Sequence, residues 1–137
     1  QDIRIHGFFI LGSDADDPAT IERTVRFCRS TKLNTVQFAI LSPIPGTKLF
    51  EQLSSQGRIF TRDWSLYDGT HVVFQPKKLS ALELQNRVLK AWKKFYTIGR
   101  FKWFLISRYL IRGWKKANRE FLRKFDVGSL PETHFLT

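Results

Sequence analysis

Apolar residues run almost unbroken from Ile3 to Leu11 (IRIHGFFIL), with β-branched and aromatic types dominant. Such a run predicts a strand buried on both faces. Gly12 ends it, and an acidic turn follows, Ser13-Asp14-Ala15-Asp16-Asp17. Pro18 then stands where a helix favours it, directly after an aspartate N-cap. From Pro18 to about Lys32, Ile21, Val25 and Cys28 recur at helical spacing, which gathers them on one face. Asn34 is expected to close that helix, and Thr35–Leu41 (TVQFAIL) reads as a second buried strand. Strand, helix and strand in this order predict a βαβ unit with parallel strands.

The pattern then loosens. Ser42-Pro43-Ile44-Pro45-Gly46 cannot continue a central strand, so the chain leaves the sheet in a rigid loop. Thr47 is placed to cap a short helix carrying Leu49, Phe50 and Leu53, with Gly57 just past its end. An irregular aromatic stretch holds Trp64 and Tyr67, and His71–Phe74 reads as a short strand or extended edge. Ser80-x-x-Glu83 is a capping box that opens a helix from Ala81 to about Thr97, with Leu84, Val88, Trp92 and Phe95 in line. Two more helical stretches are expected, Phe101–Arg112 and Trp114–Phe125, before a patternless tail from Asp126. The chain therefore divides into a strand–helix–strand–helix unit (1–57), a loop-rich connector (58–79) and a helical extension (80–137).

Charge separates the same parts. Residues 1–76 carry eight basic and eight acidic side chains, whereas 77–137 carry fifteen basic against four acidic, so the whole excess of +11 lies in the rear. Such a step marks a change in what the surface faces. The single cysteine excludes an intrachain disulfide and points to a cytoplasmic setting. With no methionine and Gln1 in first place, the chain reads as a piece of a longer protein.

Self-contained chemistry is sparse. Cys28 falls on the apolar helix face, as a structural thiol would. The three histidines are scattered, and no spacing suits a metal, a nucleophilic triad or a phosphate loop. The two strand exits, Gly12–Asp17 and Leu41–Thr47, are the places where parallel α/β architectures bind ligands. There Gly12 permits close approach, and the carboxylates of Asp14 and Asp16 suit a cation or ribose hydroxyls. The plainer reading makes Asp17 the helix cap and leaves Asp14 and Asp16 solvated beside the helix dipole.

Gly7-Phe8-Phe9-Ile10-Leu11-Gly12-Ser13-Asp14-Ala15-Asp16-Asp17-Pro18, Thr24-Val25-Arg26-Phe27 and Phe38–Leu49 together resemble the late core of radical S-adenosylmethionine (SAM) enzymes. Within that family they are similar to the cobalamin-binding-domain class, which includes magnesium-protoporphyrin ester cyclases and hopanoid-modifying proteins. Gly57-Arg58-Ile59, Asp63-Trp64, Tyr67-Asp68 and His71–Pro76 resemble the segment after the barrel in that class. The resemblance covers most of residues 3–97.

It implies an α/β fold: the fifth and sixth strands of a partial (β/α)6 barrel, followed by an α-helical C-terminal extension. Ile10 and Gly12 would lie near the adenosyl part of SAM, and Leu41 and Ser42 near its adenine. Asp16 stands where related methylthiotransferases carry a glutamate. The implied cofactors are SAM, a 4Fe–4S cluster and cobalamin, and the implied reaction is SAM cleavage to a 5′-deoxyadenosyl radical, then methylation or oxidative rearrangement. The Cys-x3-Cys-x2-Cys motif that holds the cluster is missing from these 137 residues. The chain alone is therefore expected to be inactive, its partners being an upstream barrel half and a cobalamin domain.

Three partners compete for the basic, aromatic rear: the parent's other domains, an anionic membrane surface touched peripherally, and nucleic acid. No nucleic-acid motif accompanies the charge, which disfavours the last. In a chain with only two strands, open sheet edges are expected to pair with another copy or to be covered by the rear helices.

Overall fold

The computed structural model describes residues 3–96 and two isolated helical positions, Arg112 and Lys116. The expected helices over 101–112 and 114–125, and the tail, lie outside the described residues. Two six-residue strands, β1 (His6–Leu11) and β2 (Thr35–Ile40), flank helix α1 (Pro18–Ser30). They pair in parallel, His6 opposite Thr35 through to Leu11 opposite Ile40. Helix α2 (Lys48–Ser55), a 3-10 turn (Trp64–Leu66) and helix α3 (Ala81–Tyr96) complete the fold. The α/β class and the parallel pairing thus agree with the hydrophobic pattern.

Each helix begins where its cap dictates. Asp17 accepts the Thr20 N–H at 2.6 Å and Pro18 fills the first turn of α1. Thr47 accepts the Phe50 N–H at the start of α2, and Ser80 accepts the Glu83 N–H at the start of α3. Gly57, at φ +64°, takes the left-handed position after α2.

Two expectations need correction. First, α1 ends at Ser30 with Thr31 as its C-cap, and Lys32 turns the chain at φ +54°, so Asn34 does not close the helix. Asn34 instead accepts the Ile5 N–H at 2.8 Å and joins the strand starts. Second, β1 begins at His6 and is not buried on both faces. Phe8 and Ile10 are more than half exposed, because the helices cover only the other face of the two-stranded sheet. Of the two readings of His71–Phe74, the extended edge is the one observed, with a single antiparallel bridge from Ile59 to Phe74.

The main core lies between the helix-side face of the sheet and α1 and α3. Leu11, Val36, Phe38 and Ile40 meet Ile21, Val25 and Cys28 from α1 and Leu84 and Val88 from α3. Phe38 packs edge-on against both Trp92 and Phe95. A second cluster (Leu53, Val73 and Phe74) ties α2 to the connector.

The sheet's two edges differ. In β2, the outward groups belong to Val36, Phe38 and Ile40, and each of these residues is engaged. Tyr96 Oη accepts the Val36 N–H at 3.0 Å and donates to the Val36 carbonyl at 2.7 Å. Trp92 Nε1 donates to the Phe38 carbonyl at 2.9 Å, and the Ile40 N–H donates to the Gly69 carbonyl at 2.6 Å. Helix α3 and the connector therefore act in place of a third strand. In β1, the Ile5 and Leu11 carbonyls point inward to β2, so the N–H and C=O groups of His6, Phe8 and Ile10 point outward. Among the described residues, no strand pairs with them.

Candidate functional site

The strand exits lie side by side. The Leu41 N–H donates to the Leu11 carbonyl at 2.8 Å, which extends the ladder by one step and sets Gly12 next to Leu41. Ile10, 58% exposed, projects from the sheet face opposite the helices. Leu41 and Ser42 are half-buried, and Ser42 Oγ turns back to the Ile40 carbonyl at 3.4 Å. Pro43 is buried and fixes the loop root, while Ile44 is exposed. Ile10, Gly12, Leu41 and Ser42 are thus gathered at one end of the sheet.

Gly12 has φ +104°, a conformation that disfavours a side chain. Its side-chain position is already taken: a Cβ there would come 2.6 Å from Cδ2 of the buried Leu84. The glycine therefore lets α3 press against the exit of β1. Its N–H is also occupied, donating at 2.8 Å to Asp16 Oδ2, which accepts the Ser13 N–H as well at 2.9 Å. One carboxylate oxygen closes the turn by drawing in two successive amides.

Neither Asp14 nor Asp16 is simply solvated, which corrects the plainer expectation. Asp14 receives both terminal nitrogens of Arg58 in a fork, Nη1 at 3.0 Å, and Lys77 Nζ lies 3.1 Å from its Oδ2. The Arg58 hydrogen bond is the main reason the Asp14 carboxyl sits below the ordinary aspartate value of 3.8. Arg58 is itself anchored, since its Nε donates to the Gln75 carbonyl at 2.8 Å. Lys78 Nζ reaches the Ala15 carbonyl at 3.1 Å. The connector thus clasps the acidic turn, and no motif in the sequence announces Arg58 or Lys77 in that role. A ligand drawing on Asp14 would have to share it with two cations.

A second turn serves the other exit. Asp68 accepts the Thr70 N–H at 2.7 Å and the His71 N–H at 3.1 Å, and its Oδ2 meets His71 Nδ1 at 2.9 Å. Burial pushes the Asp68 carboxyl up, but these hydrogen bonds from Thr70 and His71 outweigh it and hold the pKa down. The buried Gln85 of α3 locks the turn in place, accepting the Val72 N–H and donating to the Thr70 carbonyl. The turn brings the Gly69 carbonyl to the edge of β2.

Among the described residues, no group of three or more His, Cys, Asp or Glu side chains converges. Cys28 is fully buried, and burial raises its thiol pKa. The donor set does not fit a 4Fe–4S cluster, so no step of such a cluster's chemistry is assigned to these side chains. A cavity of about 220 Å³ lies at the opposite end of the sheet, where Asn34 precedes β2 and Phe95 and Tyr96 end α3. No described helix is long and apolar enough to cross a membrane.

Known proteins share much of this sequence. No protein-family model matches the chain. It is 35% identical over 94 residues to bacteriochlorophyllide d C-12(1)-methyltransferase of Chlorobaculum tepidum, covering 69% of this chain and 20% of that protein. It is 28% identical over 95 residues to the C-8(2)-methyltransferase of the same organism, 69% of this chain and 21% of the relative. Similarity also extends to anaerobic magnesium-protoporphyrin IX monomethyl ester cyclase of Cereibacter sphaeroides, 30% over 95 residues, 69% and 15%. The chain spans about a fifth of the length of the curated relatives it matches.

Proposed function

Because this chain shares about 95 homologous residues with radical SAM methyltransferases and cyclases, we propose that it is the late-barrel and C-terminal part of such an enzyme. In this reading β1 and β2 are the fifth and sixth strands of a partial (β/α)6 barrel. One observation carries it: the sheet is closed at β2 and open at β1. A last strand needs its far edge covered, which Tyr96, Trp92 and Gly69 do. A strand with a predecessor needs a free edge. Parallel strands are ordinarily buried on both faces, so the exposed Phe8 and Ile10 face is the barrel interior awaiting its other strands.

Ile10 and Gly12 then border the adenosyl group of SAM, and Leu41 and Ser42 its adenine. Asp16 shapes the turn by holding the Gly12 and Ser13 amides, and Asp14 holds the connector over it. The cluster and cobalamin belong to upstream residues, and with SAM bound they supply the radical and methyl-transfer chemistry. This chain positions the nucleoside and excludes water. Helix α3, the described part of the extension, spends its apolar face on the sheet, as a helical cap would. The reaction is a methylation or an oxidative cyclisation, and tetrapyrroles of the kind named for the relatives are the first substrates to test.

The test is to express the chain with its upstream sequence, reconstitute it anaerobically and measure 5′-deoxyadenosine release. Ser42→Trp should raise the KM for SAM at least about tenfold, a loss of about 1.4 kcal/mol of binding, and leave the cluster spectrum intact. An upstream sequence encoding a complete, unrelated domain without the three-cysteine motif would overturn the proposal.

A further inference from the structure

Beyond Gly12 the chain leaves the β1–β2 ladder, and the acidic turn holds its own shape. Asp16 accepts the Gly12 and Ser13 N–H groups, and the Asp16 N–H donates to the Ser13 carbonyl at 3.0 Å. The ends of the turn are fixed by β1 and α1, but its crest, Asp14 and Ala15, is placed by the connector. Arg58 and Lys77 hold Asp14, and Lys78 holds the Ala15 carbonyl. Lys77 is 56% exposed and Lys78 is exposed as well, so water weakens both grips. Arg58 is only 12% exposed, and all three of its nitrogens are engaged: Nε by the Gln75 carbonyl, Nη1 by Asp14 and Gln56, Nη2 by Asp14. A planar fork held at every nitrogen has one orientation.

The backbone of Arg58 reaches toward the other exit. Its N–H donates to the Leu53 carbonyl at 2.9 Å, and its carbonyl accepts the Gln75 N–H at 2.8 Å. Leu53 belongs to the second core cluster, with Val73 and Phe74, and Leu41 packs against that cluster. Helix α2, which carries Leu53, starts at Thr47, whose hydroxyl donates to the Ile44 carbonyl at 2.7 Å. Arg58 therefore stands on the layer that supports the Leu41 exit and grips the crest of the turn at the Gly12 exit.

We propose that Arg58 is a positioning residue that couples the two strand exits and thereby sets the affinity for the nucleoside between them. The ligand half of this inference rests on the enzyme reading, and the coupling half does not. Arg58 acts through Asp14 on one side and Leu53 on the other, so its loss should appear in KM and not in kcat.

Two measurements test it. Arg58→Lys keeps the charge and loses the fork. In the 137-residue chain, exchange of the Gly12 and Ser13 amides should then speed up at least about fivefold, while the Leu41 amide, in the ladder, holds its rate. In the chain extended by its upstream sequence, the same change should raise the KM for SAM about tenfold and move kcat less than about twofold. Asp14→Asn, which spares the inner anchors of Arg58, should shift exchange and KM in the same direction, and it decides the question if Arg58→Lys does not fold. Lys77→Ala takes a cation from Asp14 without touching Gln75 or Leu53, and should shift KM far less. Exchange that speeds evenly in turn and ladder, an unchanged KM in a parent that cleaves SAM, or an equal effect of Lys77→Ala overturns the proposal. A parent that cleaves no SAM ends the enzyme reading and the ligand half with it, and the exchange result then decides the coupling.

Discussion

The two edges of this small sheet have the same backbone chemistry and opposite fates. The β2 edge is met by a tyrosine hydroxyl, an indole N–H and a loop carbonyl, all supplied by later residues of the chain. The β1 edge meets no strand among the described residues and is bordered by exposed apolar side chains. A buried strand edge without partners costs free energy, and an exposed one invites pairing. The segments C-terminal to β2 are adapted to end the sheet, and the surroundings of β1 are adapted to continue it. The contrast gives the fold a direction, and the proposal of a late position in a barrel rests on it.

The largest test of the comparison removes Trp92. Trp92→Ala takes away the Phe38 carbonyl's donor and the aromatic packing on the Phe38 ring. Equilibrium urea unfolding should show a loss of about 3 kcal/mol. Phe8→Ala on the open side should stay within about 0.5 kcal/mol, measured at concentrations where the chain is monomeric. Equal losses at both sites would end the distinction between the edges.

Gly12→Ala comes next. The new Cβ would collide with Leu84 Cδ2, and φ +104° is unfavourable to any side chain. We expect a loss of about 2 kcal/mol in the same measurement. A smaller loss belongs to Tyr96→Phe, which deletes only the hydroxyl shared by the Val36 N–H and carbonyl. It should cost about 1 to 2 kcal/mol, and exchange of the Val36 amide should accelerate while that of the Phe9 amide, inside the ladder, does not.

Much of this molecule was legible in its residues. Asp17-Pro18 and Thr47 set two helix starts, and Ile21, Val25 and Cys28 marked the buried face of α1. Local rules decide those features, so local sequence reveals them. The half-exposure of β1 was not legible, because an apolar run reads alike whether its second face is filled by the same chain or by another. Asn34 misled for a related reason: it suits a helix end, but its side chain serves the Ile5 amide 29 residues away. Of the site, the exits were legible and the clasp was not. Arg58 comes after a helix-ending glycine with no sign that it reaches back 44 residues to Asp14. Tyr96 left a fainter signal, since its spacing from Trp92 puts both on one face of α3.

The smallest expected effect concerns acid, and its Asp68 part falls on the closed side. Asp14, Asp17 and Asp68 all have carboxyl groups below the ordinary value of 3.8. Their causes differ: the Arg58 fork for Asp14, the Thr20 amide for Asp17, and Thr70 with His71, acting against burial, for Asp68. A carboxylate whose pKa falls on folding binds protons more readily in the unfolded chain. Its contribution is therefore complete above the unfolded value and disappears as pH falls through the folded one. The thermal midpoint should hold steady from neutral pH to about 5 and decline below about 4. Asp68→Asn should flatten part of that decline, because Asp68 holds the turn that carries the Gly69 carbonyl to Ile40. It should also speed exchange of the Ile40 amide at neutral pH and leave Phe8 and Ile10 unchanged. A uniform change at both edges would mean that the Asp68 turn stabilises the whole domain rather than the closed side of its sheet.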